Sequence, residues 1–207
     1  MGVLMDALKL TPAFFLREDV VQIARDLLGM VLVTEFDGQR TAGRIVETEA
    51  YAAMDKASHS HSNRRTNRTE PMFRVGGTAY VYRCYGIHHL FNISTNAADV
   101  AEAVLIRGVE PLEGIEIMQQ RRSLPTISPK ISAGPGNVTV ALGIPGSYTR
   151  NDVFSDTLWF EDRGLKPLPE EVVVGTRVGV AYAEEDAYLP YRFWIQGSHW
   201  VSKAKGL

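Results

Sequence analysis

The sequence predicts an α+β fold: a single domain over residues 1–207, with a curved, mainly antiparallel β-sheet, flanking helices and a protruding β-hairpin. Two observations predict it. Segments of strand-like alternation outnumber those of helical period, and tight-turn signals such as Asp37-Gly38 and Tyr85-Gly86 join them as hairpins. A third observation, that no stretch reads as a linker, keeps the 207 residues in one buried core.

Taken in order, Glu18–Leu28 carries Val20, Val21, Ala24, Leu27 and Leu28 at helical spacing, and Gly29 stands where a C-cap glycine belongs. Met30–Phe36 and Gly43–Tyr51 read as strands either side of the Asp37-Gly38 turn. Alternation along the second predicts Ile45, Glu47, Glu49 and Tyr51 on one face and Arg44, Val46, Thr48 and Ala50 on the other. The polar stretch Ala52–Gly77 is a long loop, of a length that is usually functional or disordered. Thr78–Cys84 and Leu90–Thr95 form the hairpin around Tyr85-Gly86, with Tyr80 and Tyr82 on one face. Ala103–Val109 is a central strand interrupted by Arg107. Glu110-Pro111 then predicts a helix through Ile115 and Met118 towards Arg121 and Arg122. Gly134-Pro135-Gly136-Asn137 predicts a turn into a short helix, Val138–Leu142, with Asn137 as N-cap. Further strands are expected at Thr157–Glu161, Thr176–Ala181 and Arg192–Ile195.

Composition narrows the class. Apolar residues make up 45% and charged residues 22%, as in an ordinary globular protein, and no apolar run approaches the ~20 residues of a membrane span. The first 19 residues lack the pattern of a signal peptide, and one cysteine, Cys84, leaves no intrachain disulfide or multi-cysteine zinc site. A reduced, cytoplasmic protein is expected. The net charge of −2 speaks mildly against a nucleic-acid partner, but charge is unevenly spread. Between His59 and His89 stand Arg64, Arg65, Arg68, Arg74 and Arg83 against the single acid Glu70. By itself that is a solvated basic loop; beside other features it is a phosphate grip.

Glu47 and Glu49 face the same way. Desolvated, such a pair would repel and favour general-base chemistry; on the solvent face of an edge strand it would do nothing. His59, His61, His88 and His89 lack a convincing third ligand, so no metal is expected. Tyr85 and Ile87 at a hairpin tip look like an apolar wedge of the kind that unstacks a base step. Arg107 inside an apolar strand needs a buried partner, either Glu49 in a catalytic arrangement or Glu47 in a structural one. The glycine-rich turn at 134–137 lacks a Walker lysine and reads only as a helix start.

Collinear blocks then resemble the alkyladenine (3-methyladenine) DNA glycosylase family: GRIVETEAY (43–51), HS…NRRTNRTEPMF (59–73), YVYRCYG (80–86), LFNIS (90–94), AVLIRGVEPLEG (103–114), ISAGPGN (131–137), TRVGV (176–180) and YRFWIQGSHWVS (191–202). The resemblance implies excision of alkylated or deaminated purines, such as 3-methyladenine and hypoxanthine, from double-stranded DNA, without metal or cofactor. It implies Glu49 as the base that activates water, and Arg107 with the backbone of Val178 as the groups holding that water. Tyr51, His59 and Tyr82 would wall the base pocket, and Asn92 would screen against guanine. Tyr85 would enter the duplex with Ile87 beside it, and Arg64 and Arg122 would touch phosphates, with Arg65 added from the same basic loop. The segment from Tyr51 to His59 is one residue shorter than in vertebrate members, which makes His61 the alternative to His59. The lack of an N-terminal extension fits a bacterial-type minimal enzyme, a monomer in the cytosol with no membrane attachment or obligate protein partner. The other readings are a non-catalytic damaged-DNA-binding module of the same fold and, more weakly, a hydrolase of free nucleosides. A buried Glu49 facing Arg107 separates catalysis from mere binding.

Overall fold

The computed structural model describes residues 7–207; residues 1–6, which open the stretch read as carrying no signal peptide, lie outside them. In chain order the elements are β1 (Leu8–Lys9), α1 (Pro12–Phe15), α2 (Val20–Asp26), β2 (Val31–Phe36), β3 (Gln39–Tyr51), β4 (Ala79–Cys84), β5 (His88–Ser94), β6 (Ala103–Glu113), α3 (Ile115–Arg122), α4 (Pro135–Ala141), β7 (Leu158–Asp162), β8 (Val172–Gly175) and β9 (Arg192–Ile195). The strands form one sheet in the order β1-β7-β2-β3-β6-β5-β4, and β9 pairs with both β3 and β8. Every pairing is antiparallel. The α+β expectation holds. Among the described residues no helix is long and apolar enough to cross a membrane.

Local chemistry explains most boundaries. Asp19 caps α2 by accepting the Gln22 amide at 2.9 Å, a contact worth ~1 kcal/mol. Asp37 and Gly38 both take positive φ (52° and 70°), the requirement of a type I′ hairpin turn, so β2 and β3 pair in register from Phe36↔Gln39.

Strand β3 organises the site because it changes partner midway. Its first half pairs with β2 as far as Arg44, its second half pairs with β9 from Glu47 to Glu49, and β6 lines its other edge. Where the partners change, β3 and β6 carry register irregularities between Ile45 and Thr48. These irregularities correct the simple alternation. Ile45 does not share a face with Glu47 and Glu49; it joins Val46 and Ala50 in the main core with Phe15, Ile23, Leu27, Phe91 and Ile106. A bulge resets the two-residue period, and that re-aims the side chains beyond it.

Three other expectations are corrected. Glu110-Pro111 continues β6, with Pro111 opposite Gly43 at another irregularity, where a missing N–H is tolerated. Helix α3 starts only after Gly114, which takes φ 66° where a Cβ would lie 2.3 Å from the Arg40 carbonyl oxygen. Asn137 is not an N-cap. Gly134 precedes α4, Pro135 opens it, and the Asn137 amide donates back to the Ala133 carbonyl at 2.7 Å. Thr176–Ala181 is not a strand either: β8 ends at Gly175, and the chain then turns inward around the fully buried Arg177 and a positive φ at Gly179. The long loop after β3 is ordered by short 3-10 turns at His61–Asn63 and Glu70–Phe73, which bury Pro71, Met72 and Phe73.

Candidate active site

Glu47 and Glu49 lie on the centre of the sheet with no solvent exposure, so the edge-strand alternative falls away. Arg107 pairs with both candidates: its Nε donates to Glu47 Oε1 at 3.0 Å and its Nη1 to Glu49 Oε2 at 3.2 Å. Burial alone would lower the Arg107 pKa, but Glu49 and Glu47 outweigh it and hold the guanidinium charged. Its charge also offsets the repulsion between the two carboxylates.

The two carboxylates differ in saturation. Glu47 Oε1 accepts from Arg107, from Arg192 Nε at 2.9 Å and from the Ser202 hydroxyl at 2.8 Å, while Oε2 accepts the Ser202 amide at 2.7 Å. With about four acceptor positions on a carboxylate, Glu47 has none to spare. Opposite it stands Gly108, where a Cβ would lie 2.6 Å from the Trp200 carbonyl oxygen, so only glycine lets the tail approach. Glu49 accepts three bonds: Val178 N–H at 2.8 Å, the Tyr51 hydroxyl at 2.9 Å and Arg107. One acceptor position remains. Burial and then the Glu49 charge push the Tyr51 phenol well above its ordinary pKa, which keeps it a proton-bearing donor.

Above this floor opens a cavity of about 570 Å³, whose lining includes Tyr51, His59, Tyr82, Asn92, Arg107 and Val178. A volume of that size fits a purine-sized group. The rings of Tyr80 and Tyr82 lie 5.2 Å apart, and His59 stands edge-on to Tyr82 at 4.7 Å. His59 Nδ1 is 2.9 Å from the Tyr80 hydroxyl, and Arg68 Nη2 approaches Nε2 at 3.4 Å. Since the guanidinium can only donate, Nε2 accepts and Nδ1 carries the proton. Burial, then the Arg68 charge, lowers the His59 pKa to about 4 and keeps the ring neutral. The Asn92 amide donates to the Tyr80 carbonyl at 3.2 Å. His59 lines both this cavity and a neighbouring one, whereas His61 lines only the neighbour.

The rim is of another character. Tyr85 and Ile87 at the β4–β5 turn are 91% and 73% exposed, and Tyr85 holds φ 48° beside Gly86 at 70°. A left-handed tyrosine costs ~1–2 kcal/mol, and such strain concentrates at functional sites. The predicted arginines separate. Arg64 is exposed and its guanidinium makes no hydrogen bond among the described residues. Arg65 is held by both oxygens of Glu70, by Asp99 and over the Phe73 ring. Arg122 is spent on the carbonyls of Lys130 and Ile131. Sequence reasoning counted Arg68 only within the basic loop and gave it no place at the pocket, where it lies over the Tyr82 ring at 5.1 Å, and gave no site role to Tyr80, Arg192 and Ser202. The aromatic alternation of the hairpin and the arginine in its facing loop were the available signals for the first two. Nothing local marks Ser202 as a partner of a glutamate 155 positions away. Among the described residues no three His, Cys, Asp or Glu side chains cluster to hold a metal ion.

Comparison with known proteins agrees in kind. The family described as Methylpurine-DNA glycosylase matches residues 13–199. Proteins named "Putative 3-methyladenine DNA glycosylase" are similar along nearly the whole length. One from Clostridium perfringens (strain 13 / Type A) is 42% identical, covering 91% of this chain and 97% of its own. One from Chlamydia abortus is 43% identical, covering 90% and 97%. One from Desulfitobacterium hafniense is 40% identical, covering 91% and 96%.

Proposed function

The chain belongs to the methylpurine-DNA glycosylase family and is an N-glycosylase hydrolase of DNA repair, and from that premise we propose that Glu49 activates the water that releases a damaged purine flipped out of duplex DNA. The carrying observation is the one open acceptor position on a carboxylate sealed beneath an aromatic cavity.

A base within a duplex is out of reach, so excision begins with extrusion, which costs a few kcal/mol of stacking. Tyr85 and Ile87 fill the gap left in the stack, and Arg64 and Arg68, neither of them in an ion pair among the described residues, hold the backbone. The extruded purine enters between Tyr51, Tyr82 and His59, where neutral imidazole and phenols stack without adding charge. Asn92 screens its edge. Glu49 accepts a proton from a water bound at its free position as that water attacks C1′ of the sugar. The glycosidic electron pair leaves with the base, and an abasic site remains. The negative charge of Glu49 also favours the positive charge that develops on the sugar. Arg107 and the Val178 amide orient the carboxylate by donating to it, and both line the cavity where the water would sit. The substrates of the proposal are 3-methyladenine, hypoxanthine and similar purines, acted on by a monomer in the cytosol.

The test is single-turnover incubation with a duplex carrying one hypoxanthine and, separately, with a methylated duplex, each followed by alkali cleavage. Cutting by the wild type and not by Glu49→Gln supports the assignment. Cutting by Glu49→Gln at the normal rate refutes it. Tight lesion binding with no cutting of either duplex by the wild type would favour a binding module.

A further inference from the structure

Arg177 is among the largest fully buried side chains, and its contacts converge on the two neutral donors that orient Glu49. Its guanidinium carbon lies 4.9 Å from the Tyr51 ring centroid, and Tyr51 donates to Glu49 Oε2. The next residue, Val178, donates its amide to Glu49 Oε1. The Arg177 fork is itself fixed three ways. Nη1 donates to the Ala50 carbonyl at 2.9 Å, one residue beyond Glu49 on β3; both terminal nitrogens bond the Asp55 carboxylate; and Nη2 donates to the Asp186 carbonyl at 3.0 Å. Its Nε, by contrast, is buried without an acceptor among the described residues. Here the planar fork is committed to Asp55 while its face lies on Tyr51.

We propose that Arg177, held by Asp55, is a positioning residue for the hydrolytic step: it fixes the Tyr51 hydroxyl and the Val178 amide against Glu49 without touching substrate. The inference rests on Glu49 as the base. The geometry gives it content. Asp55 lies on the loop that brings Ala57 and His59 to the cavity, and Arg177 opens the segment that brings Val178, Val180 and Tyr182. The ion pair therefore ties the two walls at a depth no solvent reaches, where its geometry is well defined. An outer tier, Lys56 with Glu184 and Glu185, joins the same segments at the surface. Exposed pairs of that kind contribute little and restrain little.

The experiment compares Glu49→Gln, Arg177→Met, Asp55→Asn and Lys56→Ala in three readouts: the single-turnover excision rate, the Kd for a hypoxanthine duplex, and the Val178 amide in a ¹H–¹⁵N spectrum. A displacement of ~1 Å at a positioning group costs about 100-fold in rate, and Arg177→Met is expected to lose that much. Asp55→Asn, which keeps the side chain's shape but removes the counter-charge of the buried Arg177, is expected to lose stability and, in the folded protein, about tenfold in rate, on the scale of a partial misalignment. In both, the Kd stays within about threefold, which on the 1.4 kcal/mol-per-decade scale is under half a decade, and the Val178 resonance leaves its carboxylate-bonded position. Lys56→Ala retains wild-type behaviour. A folded Asp55→Asn or Arg177→Met protein that cuts at the wild-type rate overturns the inference. So does one whose rate and affinity fall together with the Val178 amide unmoved. If Arg177→Met fails to fold, Asp55→Asn decides. If Glu49→Gln itself cuts normally, the base assignment has failed and not this one.

Discussion

Glu47 and Glu49 sit two residues apart on one strand, equally buried and sharing one arginine, yet they are chemically unlike. Glu47 is surrounded by Arg107, Arg192 and both donors of Ser202, whereas Glu49 meets one arginine, one phenol and one amide, with the cavity above. A saturated carboxylate is a structural counter-ion. A partly saturated one in the same surroundings can take a proton. The difference teaches that burial does not assign a role to a carboxylate; the count of its donors does.

The strongest attempt to break this comparison is the parallel pair Glu49→Gln and Glu47→Gln. General-base catalysis contributes about 10²–10⁴-fold, and Glu49→Gln should lose that range in excision rate. Glu47→Gln instead leaves Arg107 and Arg192 one counter-charge short in the interior, which should cost about 3–5 kcal/mol in denaturant unfolding. If the folded fraction of Glu47→Gln were as inactive as Glu49→Gln, the division of roles would fail. Tyr51→Phe sharpens the comparison by removing one donor from Glu49. A hydrogen bond to a charged group is worth about 1.5–3 kcal/mol, so the excision rate should fall about 10- to 100-fold. Ser202→Ala removes a hydroxyl from Glu47 and keeps the Ser202 amide. A loss of ~1 kcal/mol in stability with unchanged excision is expected; a tenfold loss of rate would mean that Glu47 is coupled to the chemistry.

The smallest effect separates floor from wall. His59 is lowered to about 4 in the fold by burial and Arg68, against an ordinary 6.5. The unfolded chain therefore binds the extra proton first. Stability that the neutral ring contributes is complete above pH 6.5 and declines as pH falls towards 4. With the ring partly exposed, on the order of 1 kcal/mol should be lost across that window, and His59→Asn should flatten the slope in unfolding curves at pH 7 and 4.5. A slope unchanged by His59→Asn would place the acid sensitivity elsewhere.

The hairpin and the helix ending before Gly29 were legible because their causes are local: a turn pair able to take positive φ, and an apolar helical period closed by a glycine. The site was legible through residues whose type conflicts with their setting, an arginine in an apolar strand and a tyrosine at a turn tip. What misled was also local. Strict alternation placed Ile45 beside the glutamates because a bulge leaves no mark in the residues that form it. The basic loop read as five equivalent arginines, but Arg65 is matched by Glu70, five residues on, and by Asp99, 34 positions on. Arg177 passed unnoticed as one letter of a motif.

The sequence by itself determined which short elements form, which residues carry proton, charge and ring chemistry, and the family to which they belong, because propensity, periodicity and motif order are properties of neighbours along the chain. Only the tertiary structure decided which glutamate is open. That answer depends on Ser202, Arg192 and Val178, which reach β3 from more than 125 positions away. The saturation of a buried carboxylate is a sum over donors in space, and no stretch of sequence contains that sum.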